Sequence, residues 1–280
     1  MTAAGRTRRR SALLALLLAI ALAGGSIAHA WELVVCAESQ NLPFSNRLEE
    51  GFENRIAQLL TDDLGATLSY VWLDQPSAVV RRTRLEQGDC DVVMATVDGQ
   101  SGFTTSLAYY RSSYVFAYLS DAPFTVRSFD DDVLTELRIG VLMPDGRNVS
   151  PPTQALANRG LIPNQVGFLA TYTEQDSIGR IIDALVEGEV DLAILWGPVA
   201  GYHVHVRDAD ATLVPVQPEI ELPFIPMVYS ITVGTRRGDE DLKDLINGAL
   251  VRQWDAIQAV LDEYHVPQLP LARPTLGGER

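Results

Sequence analysis

The chain has 280 residues, with 22 basic and 36 acidic side chains and a formal net charge of −14. Its content of 47% hydrophobic and 21% charged residues is typical of a folded globular protein and excludes a disordered chain. The acidic balance argues against a nucleic-acid partner, because that binding requires a basic face that displaces counterions. Lys243 is the single lysine, and the other basic residues are arginines.

Residues 1–30 have the three parts of a secretory signal peptide. Arginines between Arg6 and Arg10 precede an uncharged apolar run from Ala12 to Ala23, and the segment ends in Ala28-His29-Ala30. The run is shorter than the ~20 apolar residues that span a bilayer. We therefore expect export to the periplasm of a Gram-negative cell, with no membrane insertion after cleavage; a retained N-terminal anchor is the alternative. The mature chain then has 18 basic and 36 acidic residues, a formal charge of −18.

The chain contains two cysteines, Cys36 and Cys90. In an oxidising compartment, an even pair indicates one disulfide. Both cysteines fall in or beside predicted strands, so two buried thiols are the alternative. No histidine of the mature chain is near either cysteine in sequence, which argues against a catalytic cysteine.

The mature chain alternates between strand and helix patterns. Apolar runs predict strands, and apolar residues at helical spacing predict helices, two of which end at Gly65 and Gly88. This order indicates an α/β fold with parallel sheets and crossover helices. The predicted strands cover 33–36, 67–73, 90–95, 137–142, 165–169, 190–195 and 228–233. The predicted helices cover 52–64, 77–88, 152–158, 177–188 and 239–264.

A short pattern occurs twice. Leu85–Val92 and Leu185–Leu192 each contain a helix end, a glycine and a strand that opens with aspartate. Because the offset agrees with the element order, the pattern predicts two similarly wound α/β lobes, with coincidence as the alternative. From Val266 onward, repeated prolines predict an extended, mobile tail.

Short strings spread over nearly the whole mature chain are specific in combination. They are Val35–Ala37, Asn41–Asn46, Gly51–Asn54, Cys90–Met94, Tyr109–Phe116, Trp196–Pro198 and Leu222–Phe224. Together they resemble family-3 type periplasmic solute-binding proteins. The resemblance is closer to one subfamily, the binding-protein-like periplasmic proteins associated with quinoprotein dehydrogenases, typically methanol dehydrogenase.

The resemblance implies a two-lobe periplasmic binding protein type II architecture. Each lobe is a mainly parallel sheet flanked by helices, and two crossover segments, near residues 122–128 and 222–229, join the lobes around a cleft. Residues 1–30 are then the signal peptide, and residues 271–280 a flexible tail. Lobe 1 is discontinuous, with residues 31–124 and 226–270, and lobe 2 has residues 125–225.

The cleft departs from that of amino-acid binders. In those proteins an arginine of lobe 1 clamps the ligand carboxylate, and an acidic residue of lobe 2 holds the ammonium. Here the arginine position falls near Gln100 or Ser101, and the acidic position falls on Trp196, which stacks on rings but forms no ion pair. We therefore expect no standard amino acid as ligand. Arg111 is either a substitute clamp or, as we prefer, a solvated or interface arginine.

The resemblance implies a set of cleft residues. They are Asn41, Phe44, Glu53, Trp72, Thr96, Tyr110, Arg111, Ser150, Trp196 and Tyr202. Phe44 and Trp72 are alternatively core aromatics, and Glu53 a favourable first-turn charge. We expect no catalytic residue and no metal site: His203 and His205 would share a face of a strand, but without a third nearby ligand they indicate surface polarity.

The resemblance implies a non-enzymatic periplasmic accessory protein. It would support a pyrroloquinoline-quinone (PQQ)-dependent methanol or alcohol dehydrogenase through docking, maturation or cofactor loading. We expect no cofactor in the chain itself, whereas the partner enzyme uses PQQ with calcium or a lanthanide. The alternative is an ABC-transporter substrate-binding protein for a small aromatic, alcohol or organic-acid ligand. Some dehydratases share the architecture, so the fold alone does not exclude an enzyme.

Overall fold

The computed structural model describes residues 31–74, 77–144, 150–170 and 177–277, so the predicted signal peptide lies outside the described residues. The strands are β1 (Glu32–Glu38), β2 (Gln40–Asn41), β3 (Ser45–Asn46), β4 (Thr67–Leu73), β5 (Val92–Val97), β6 (Thr104–Thr105), β7 (Tyr110–Leu119), β8 (Ile139–Pro144), β9 (Gln165–Ala170), β10 (Leu192–Trp196), β11 (Ala211–Pro215), β12 (Ile220–Glu221), β13 (Ile225–Pro226) and β14 (Val228–Thr235). The helices are α1 (Phe52–Leu64), α2 (Ala78–Gln87), α3 (Pro151–Asn158), α4 (Arg180–Val186), α5 (Gly197–Val206), α6 (Glu240–Arg252) and α7 (Trp254–Glu263). Short 3₁₀ turns occupy Asp132–Glu136 and Ile162–Asn164.

Local signals set the ends of the first helices where the sequence predicts them. Gly65 ends α1 in a left-handed conformation with φ of 64°, which glycine adopts at little cost. Ser77 precedes α2, and its hydroxyl accepts the backbone N–H of Val79, which satisfies one donor of the first turn. None of the helices in the described ranges has the length and hydropathy that crossing a membrane requires.

The prediction of one long helix over 239–264 is wrong, because α6 and α7 are separate helices that meet at Gln253. The Gln253 side chain donates to the Asp63 carboxylate at 2.9 Å, and Arg252 donates to the same carboxylate at 2.6 Å. Asp63 belongs to α1, so the junction is held by a contact with a distant part of the chain. Apolar periodicity continues through the break, so the sequence pattern does not reveal it.

The largest sheet has the strand order β4-β1-β5-β14-β7-β10-β8-β9, with β6 paired to β14 and β11 paired to β7. Pairing is parallel at both ends of the sheet and antiparallel around β14 and β7. We call β4, β1, β5, β6 and β14 the first half-sheet, and β8, β9, β10 and β11 the second half-sheet. The expected α/β architecture with helices packed on a central sheet is confirmed, but the sheet is mixed and not mainly parallel, because the pairings around β14 and β7 are antiparallel.

Strand β7 belongs to both half-sheets. Tyr110 to Ser113 pair with β14, whereas Tyr114 to Ala117 pair with β10, and β11 pairs along the far half of the strand. The chain therefore passes from one half-sheet to the other between Ser113 and Tyr114. This point comes earlier than the predicted lobe boundary at residue 124, and the assignment of residues to lobes stays a prediction.

Helices α1, α6 and α7 cover one face of the first half-sheet. Phe52, Ile56 and Leu60 of α1 pack against alternate residues of β1 in a core that also receives apolar residues of α6 and α7. On the opposite face, Cys36 and Cys90 form a disulfide, as predicted. The bridge joins β1 to the residues just before β5 and lies in a smaller apolar cluster with Leu85 of α2.

The segment after α7 is docked against the sheet at its start. The hydroxyl of Ser112 donates to the Pro267 carbonyl at 2.6 Å, and the N–H of Leu269 donates to the Arg111 carbonyl at 2.8 Å. A Cβ atom at Gly201 of α5 would lie 1.9 Å from the His265 carbonyl oxygen, so only glycine permits this approach. Residues 266–269 thus correct the expectation of a tail mobile from Val266; the flexibility of residues 271–280 stays a prediction.

We predict that replacing both cysteines by alanine lowers the melting temperature by roughly 10 °C. The disulfide closes a loop with a sequence separation of 54. Opening a loop of this length costs about 4 kcal/mol through the entropy of the unfolded chain. Thermal denaturation followed by circular dichroism measures the shift. A reductant should lower the melting temperature of the wild type and leave that of the double variant unchanged. Equal melting temperatures of the wild type and the double variant under oxidising conditions would contradict the prediction.

Candidate ligand-binding cleft

A cavity of about 290 Å³ lies at the point where β7 passes between the half-sheets. Its walls come from both half-sheets and from the ends of neighbouring helices. They are formed by Glu38, Asn41, Phe44, Glu53, Arg81, Ala95, Val97, Tyr110, Tyr114, Pro151, Trp196, Tyr229 and Ile231. The cavity therefore brings together five predicted cleft residues, namely Asn41, Phe44, Glu53, Tyr110 and Trp196.

Three further predicted residues do not line this cavity. Ser150 is the N-cap residue of α3 and directly precedes the lining residue Pro151. Its N–H donates to the Thr153 hydroxyl at 2.9 Å. Thr96 is buried in β5, and its hydroxyl donates to the Val93 carbonyl at 3.3 Å. Trp72 stacks on Tyr70 with 4.6 Å between ring centroids and packs against the core, which agrees with the alternative for this residue.

Arg111 and Tyr202 lie elsewhere. The Arg111 guanidinium donates to the Glu219 carboxylate at 3.0 Å, so it links β7 to the segment before β12. Tyr202 lines a second cavity of about 470 Å³, between the loop over residues 39–48 and α5. Asn41 lies on the walls of both cavities.

The start of α1 fixes Phe44 and Glu53 in the cavity wall. The N–H of Phe52 donates to the Pro43 carbonyl at 2.8 Å, and the N–H of Glu53 donates to the Phe44 carbonyl at 3.0 Å. A Cβ atom at Gly51 would lie 2.0 Å from the Phe44 carbonyl oxygen. Glycine is therefore required where the loop closes onto the helix. Because these first amides already have acceptors, they offer no hydrogen bonds to a ligand.

Two carboxyl groups and one guanidinium line the cavity. Glu38 is paired with Arg81, whose Nη1 lies 3.0 Å from Oε1 of Glu38. Glu53 is buried, and its Oε1 has no hydrogen-bond partner among the described residues. Burial raises the pKa of Glu53 to about 8; the nearby Glu38 carboxylate also raises this pKa, and Arg81 lowers it. The Glu53 carboxyl is thus mostly protonated at pH 7.

Aromatic rings form the wall of the cavity on its β7 and β10 side. The Trp196 ring contacts the rings of Tyr114 and Tyr229 edge to face, with 5.6 Å between centroids in each pair. We call Tyr114, Trp196 and Tyr229 the aromatic cluster. Burial raises the pKa of both tyrosines, so their hydroxyls stay neutral at physiological pH. The cluster places three aromatic rings in the cavity wall, and stacking of Trp196 on a ligand stays a prediction.

A β-bulge shapes the floor of the cavity. Met94 and Ala95 of β5 together oppose the single residue Val233 of β14, because the register shifts between Thr232 and Gly234. Ala95 has φ of 49°, in the left-handed region, and lines the cavity. Bulges often redirect backbone and side chains beside functional sites. The N–H of Ala95 faces the Tyr109 hydroxyl at 3.4 Å.

Sequence reasoning missed Glu38, Arg81, Tyr114 and Tyr229. Glu38 ends β1, and ligands of open α/β sheets bind beyond the carboxyl ends of parallel strands, so the strand end was a usable signal. Tyr114 follows Tyr110 by four residues on the same face of β7, which the period of a strand also predicts. Arg81 and Tyr229 reach the cavity through tertiary packing, for which the chain shows no local signal.

The histidine prediction is wrong in its geometry. His203 and His205 lie in helix α5, where residues two apart point to different sides. His203 is buried, so surface polarity does not describe it, whereas His205 is exposed and stacks on His265, with 3.7 Å between ring centroids. The described residues hold no cluster of three or more potential metal ligands.

We predict that Glu53→Gln stabilises the protein increasingly as pH rises from 5 to 9. The pKa of Glu53 is about 8 in the folded state and 4.5 ordinarily, so the unfolded chain ionises first as pH rises. The wild type therefore loses stability between these two pH values, whereas the amide of the variant does not titrate. At about 1.4 kcal/mol per pKa unit, the difference approaches 4 kcal/mol. Melting temperatures at several pH values measure it. The control is Glu136→Gln, at an exposed site, and an equal pH profile for wild type and Glu53→Gln would contradict the prediction.

Comparison with known proteins places this architecture in a family. No protein-family profile matches the chain. Protein MoxJ of Paracoccus denitrificans is 31% identical over 265 residues, which cover 90% of this chain and 94% of that protein. The crystal structure of MxaJ from Methlophaga aminisulfidivorans MPT superposes with a TM-score of 0.75 at 27% identity and covers 85% of this chain and 100% of that one.

The crystal structure of periplasmic binding protein XoxJ from Methylobacterium extorquens AM1 is also similar. It is 31% identical, with a TM-score of 0.69 over 85% of this chain and 100% of that one. MoxJ and XoxJ are each 31% identical to this chain over nearly their full length. This identity indicates more than a shared fold. The chain therefore belongs to the MoxJ family and shares its fold with the periplasmic binding protein XoxJ.

Proposed function

We propose that the protein is a periplasmic accessory protein of a PQQ-dependent methanol or alcohol dehydrogenase. It docks on the enzyme and acts in its maturation or cofactor loading, and the enzyme uses PQQ with calcium or a lanthanide. The observation that carries this proposal is membership of the MoxJ family over almost the whole chain. We infer the partner from the dehydrogenase-associated subfamily that the sequence strings resemble. The chain acts as a binding protein and does no chemistry of its own.

An inside-out hairpin supports docking on another protein. In the β12–β13 hairpin, Ile220, Leu222 and Phe224 are exposed by 58%, 75% and 87%, whereas Glu221 between them is 6% exposed. A solvated hairpin has the opposite alternation, with apolar residues inward. Adjacent exposed apolar side chains of this size are typical of protein contact sites. We call Ile220, Leu222 and Phe224 the hairpin face.

Ion pairs hold the hairpin face in a fixed position. The buried Glu221 carboxylate accepts from Arg159 at 2.9 Å, and Arg159 also pairs with Asp130 at 2.7 Å. The Asn158 amide donates to Glu221 at 3.1 Å. The inward carboxylate therefore anchors the hairpin to α3, and the apolar side chains project from a prepared base. Preorganisation of this kind reduces the entropy lost on binding.

We predict that Phe224→Ala weakens binding to the partner dehydrogenase at least about fivefold, because truncating an interface anchor typically costs more than about 1 kcal/mol. Ile220→Ala should weaken binding as well. Ile162→Ala is the matched control, since Ile162 is 59% exposed at a site outside the hairpin. The dehydrogenase encoded nearest to this chain's gene is the partner to test, by biolayer interferometry. Binding should also weaken as salt rises, because the mature chain is strongly acidic.

The proposal fails if the protein does not bind the dehydrogenase at any salt concentration. If binding occurs and the Ile220→Ala, Phe224→Ala and Ile162→Ala variants all bind like the wild type, docking uses another surface. The first result rejects the function and the second rejects only the hairpin face.

A transporter-linked receptor is the second candidate, and the cavity at β7 favours it. Such a receptor closes its lobes around a ligand. Genes for a membrane permease beside this one would support the receptor, whereas genes for a dehydrogenase and its cytochrome would support the accessory role. Ligand-induced compaction without any binding to the dehydrogenase would replace the first proposal with the second.

A further inference from the structure

We propose that the cavity at β7 binds a small organic cation, an alkylammonium without a carboxylate, held between Glu53 and the aromatic cluster. This inference concerns a ligand of the protein itself and does not depend on docking to a dehydrogenase. It also revises one expectation from the sequence. The loss of an acidic residue at Trp196 does not leave the cleft unable to hold an ammonium, because Glu53 supplies a carboxylate from the other side.

Two buried polar groups in the cavity wall lack protein partners. Oε1 of Glu53 and the hydroxyl of Tyr110 are buried and have no hydrogen-bond partner among the described residues. A buried polar group without a partner costs roughly 1–3 kcal/mol. Both residues line the same cavity, so one ligand with N–H donors can satisfy both. Glu38, by contrast, already has Arg81 as its partner.

The aromatic cluster supplies the second element of a cation site. Tyr114, Trp196 and Tyr229 line the cavity together with Glu53. Aromatic rings attract cations through the negative face of the π system, and the attraction grows when water is excluded. Aromatic rings and a carboxyl group in the wall of one cavity suit an ammonium group with an apolar body. Phe44 adds a further apolar wall.

The described residues that line the cavity offer a carboxylate ligand no unpaired cation. Arg81 is the only cationic side chain that lines it among the described residues, and Arg81 is paired with Glu38. Helix α3 begins with Pro151 and Pro152, which have no N–H to offer, and the first amides of α1 already bind loop carbonyls. Among the described residues an anion would therefore find no unpaired cation, and it would lie next to two carboxyl groups. These observations favour an amine over an amino acid or an organic acid.

The volume limits the size of the ligand. At about 290 Å³ the cavity is at the lower end of the range of small-molecule sites. It accommodates an amine of up to about ten non-hydrogen atoms. Propylammonium, 1-propanol and propionate are therefore suitable probes, since they match in size and differ in charge.

Binding of a cation is linked to ionisation of Glu53. The titratable and charged groups that face Glu53 are Glu38 of β1, Arg81 of α2, Tyr70 of β4, Tyr109 just before β7 and Tyr110 at its start. Burial keeps the three tyrosines neutral, and Glu38 and Arg81 offset each other. An ammonium favours the carboxylate form of Glu53, so binding releases a proton and strengthens as pH rises toward 9.

The test is isothermal titration calorimetry of the mature protein with the three probes at pH 7 and pH 9. We expect propylammonium to bind at least tenfold more tightly than 1-propanol or propionate. Its affinity should increase about tenfold between pH 7 and pH 9, because the ionised fraction of a group with pKa near 8 increases by that factor while the amine remains cationic. Heats in buffers of different ionisation enthalpy should reveal the released proton.

Two variants locate the site. Glu53→Gln keeps the size of the side chain and should weaken propylammonium binding at least tenfold and abolish its pH dependence. Trp196→Leu should weaken binding about fivefold through loss of the cation–π contact. Glu136→Gln, at an exposed site, should bind like the wild type, and melting temperatures confirm that each variant is folded. No propylammonium binding, equal binding of the neutral probe, or full affinity in Glu53→Gln would each overturn the proposal.

Discussion

The structure depends on the hydrogen bonds of one strand, β7. Its first residues pair with β14 and its last with β10 and β11, so ten residues carry both half-sheets. Strand side chains alternate, and Tyr110 and Tyr114 therefore face the same side. The two tyrosines line the cavity from either side of the point where the pairing changes. The site is thus a direct result of how the two halves of the sheet are joined.

Local chemistry accounts for the parts of the fold that the sequence predicts well. The alternation of residues over 67–73 predicts strand β4 with its observed bounds, and α1 ends at Gly65 because glycine accepts a left-handed conformation. The division between α6 and α7 depends on Asp63, which lies far away in sequence. The local sequence around Gln253 contains no signal of a contact with so distant a residue. The periodicity there therefore predicts one helix.

The same distinction applies to the site. The strings that resemble a known family identify Asn41, Phe44, Glu53, Tyr110 and Trp196, and these residues share one cavity. The strings do not reveal the charge state of these side chains, because that depends on which residues form ion pairs in the folded protein. Burial and the nearby Glu38 raise the pKa of Glu53, and Arg81, which lowers this pKa, is paired with Glu38. A first-turn carboxylate and a buried, mostly neutral acid have the same letter in the sequence.

The contact between His265 and Gly201 has a mechanical consequence. The segment after α7 follows two helices that pack on the first half-sheet. It nevertheless touches α5, which follows β10 of the second half-sheet. The Tyr202 and Tyr264 rings also stack, 6.3 Å apart between centroids. A binding protein with only two crossover segments can open as a simple hinge. Here the contacts between the segment after α7 and α5 form a third link, so a wide opening must first break them.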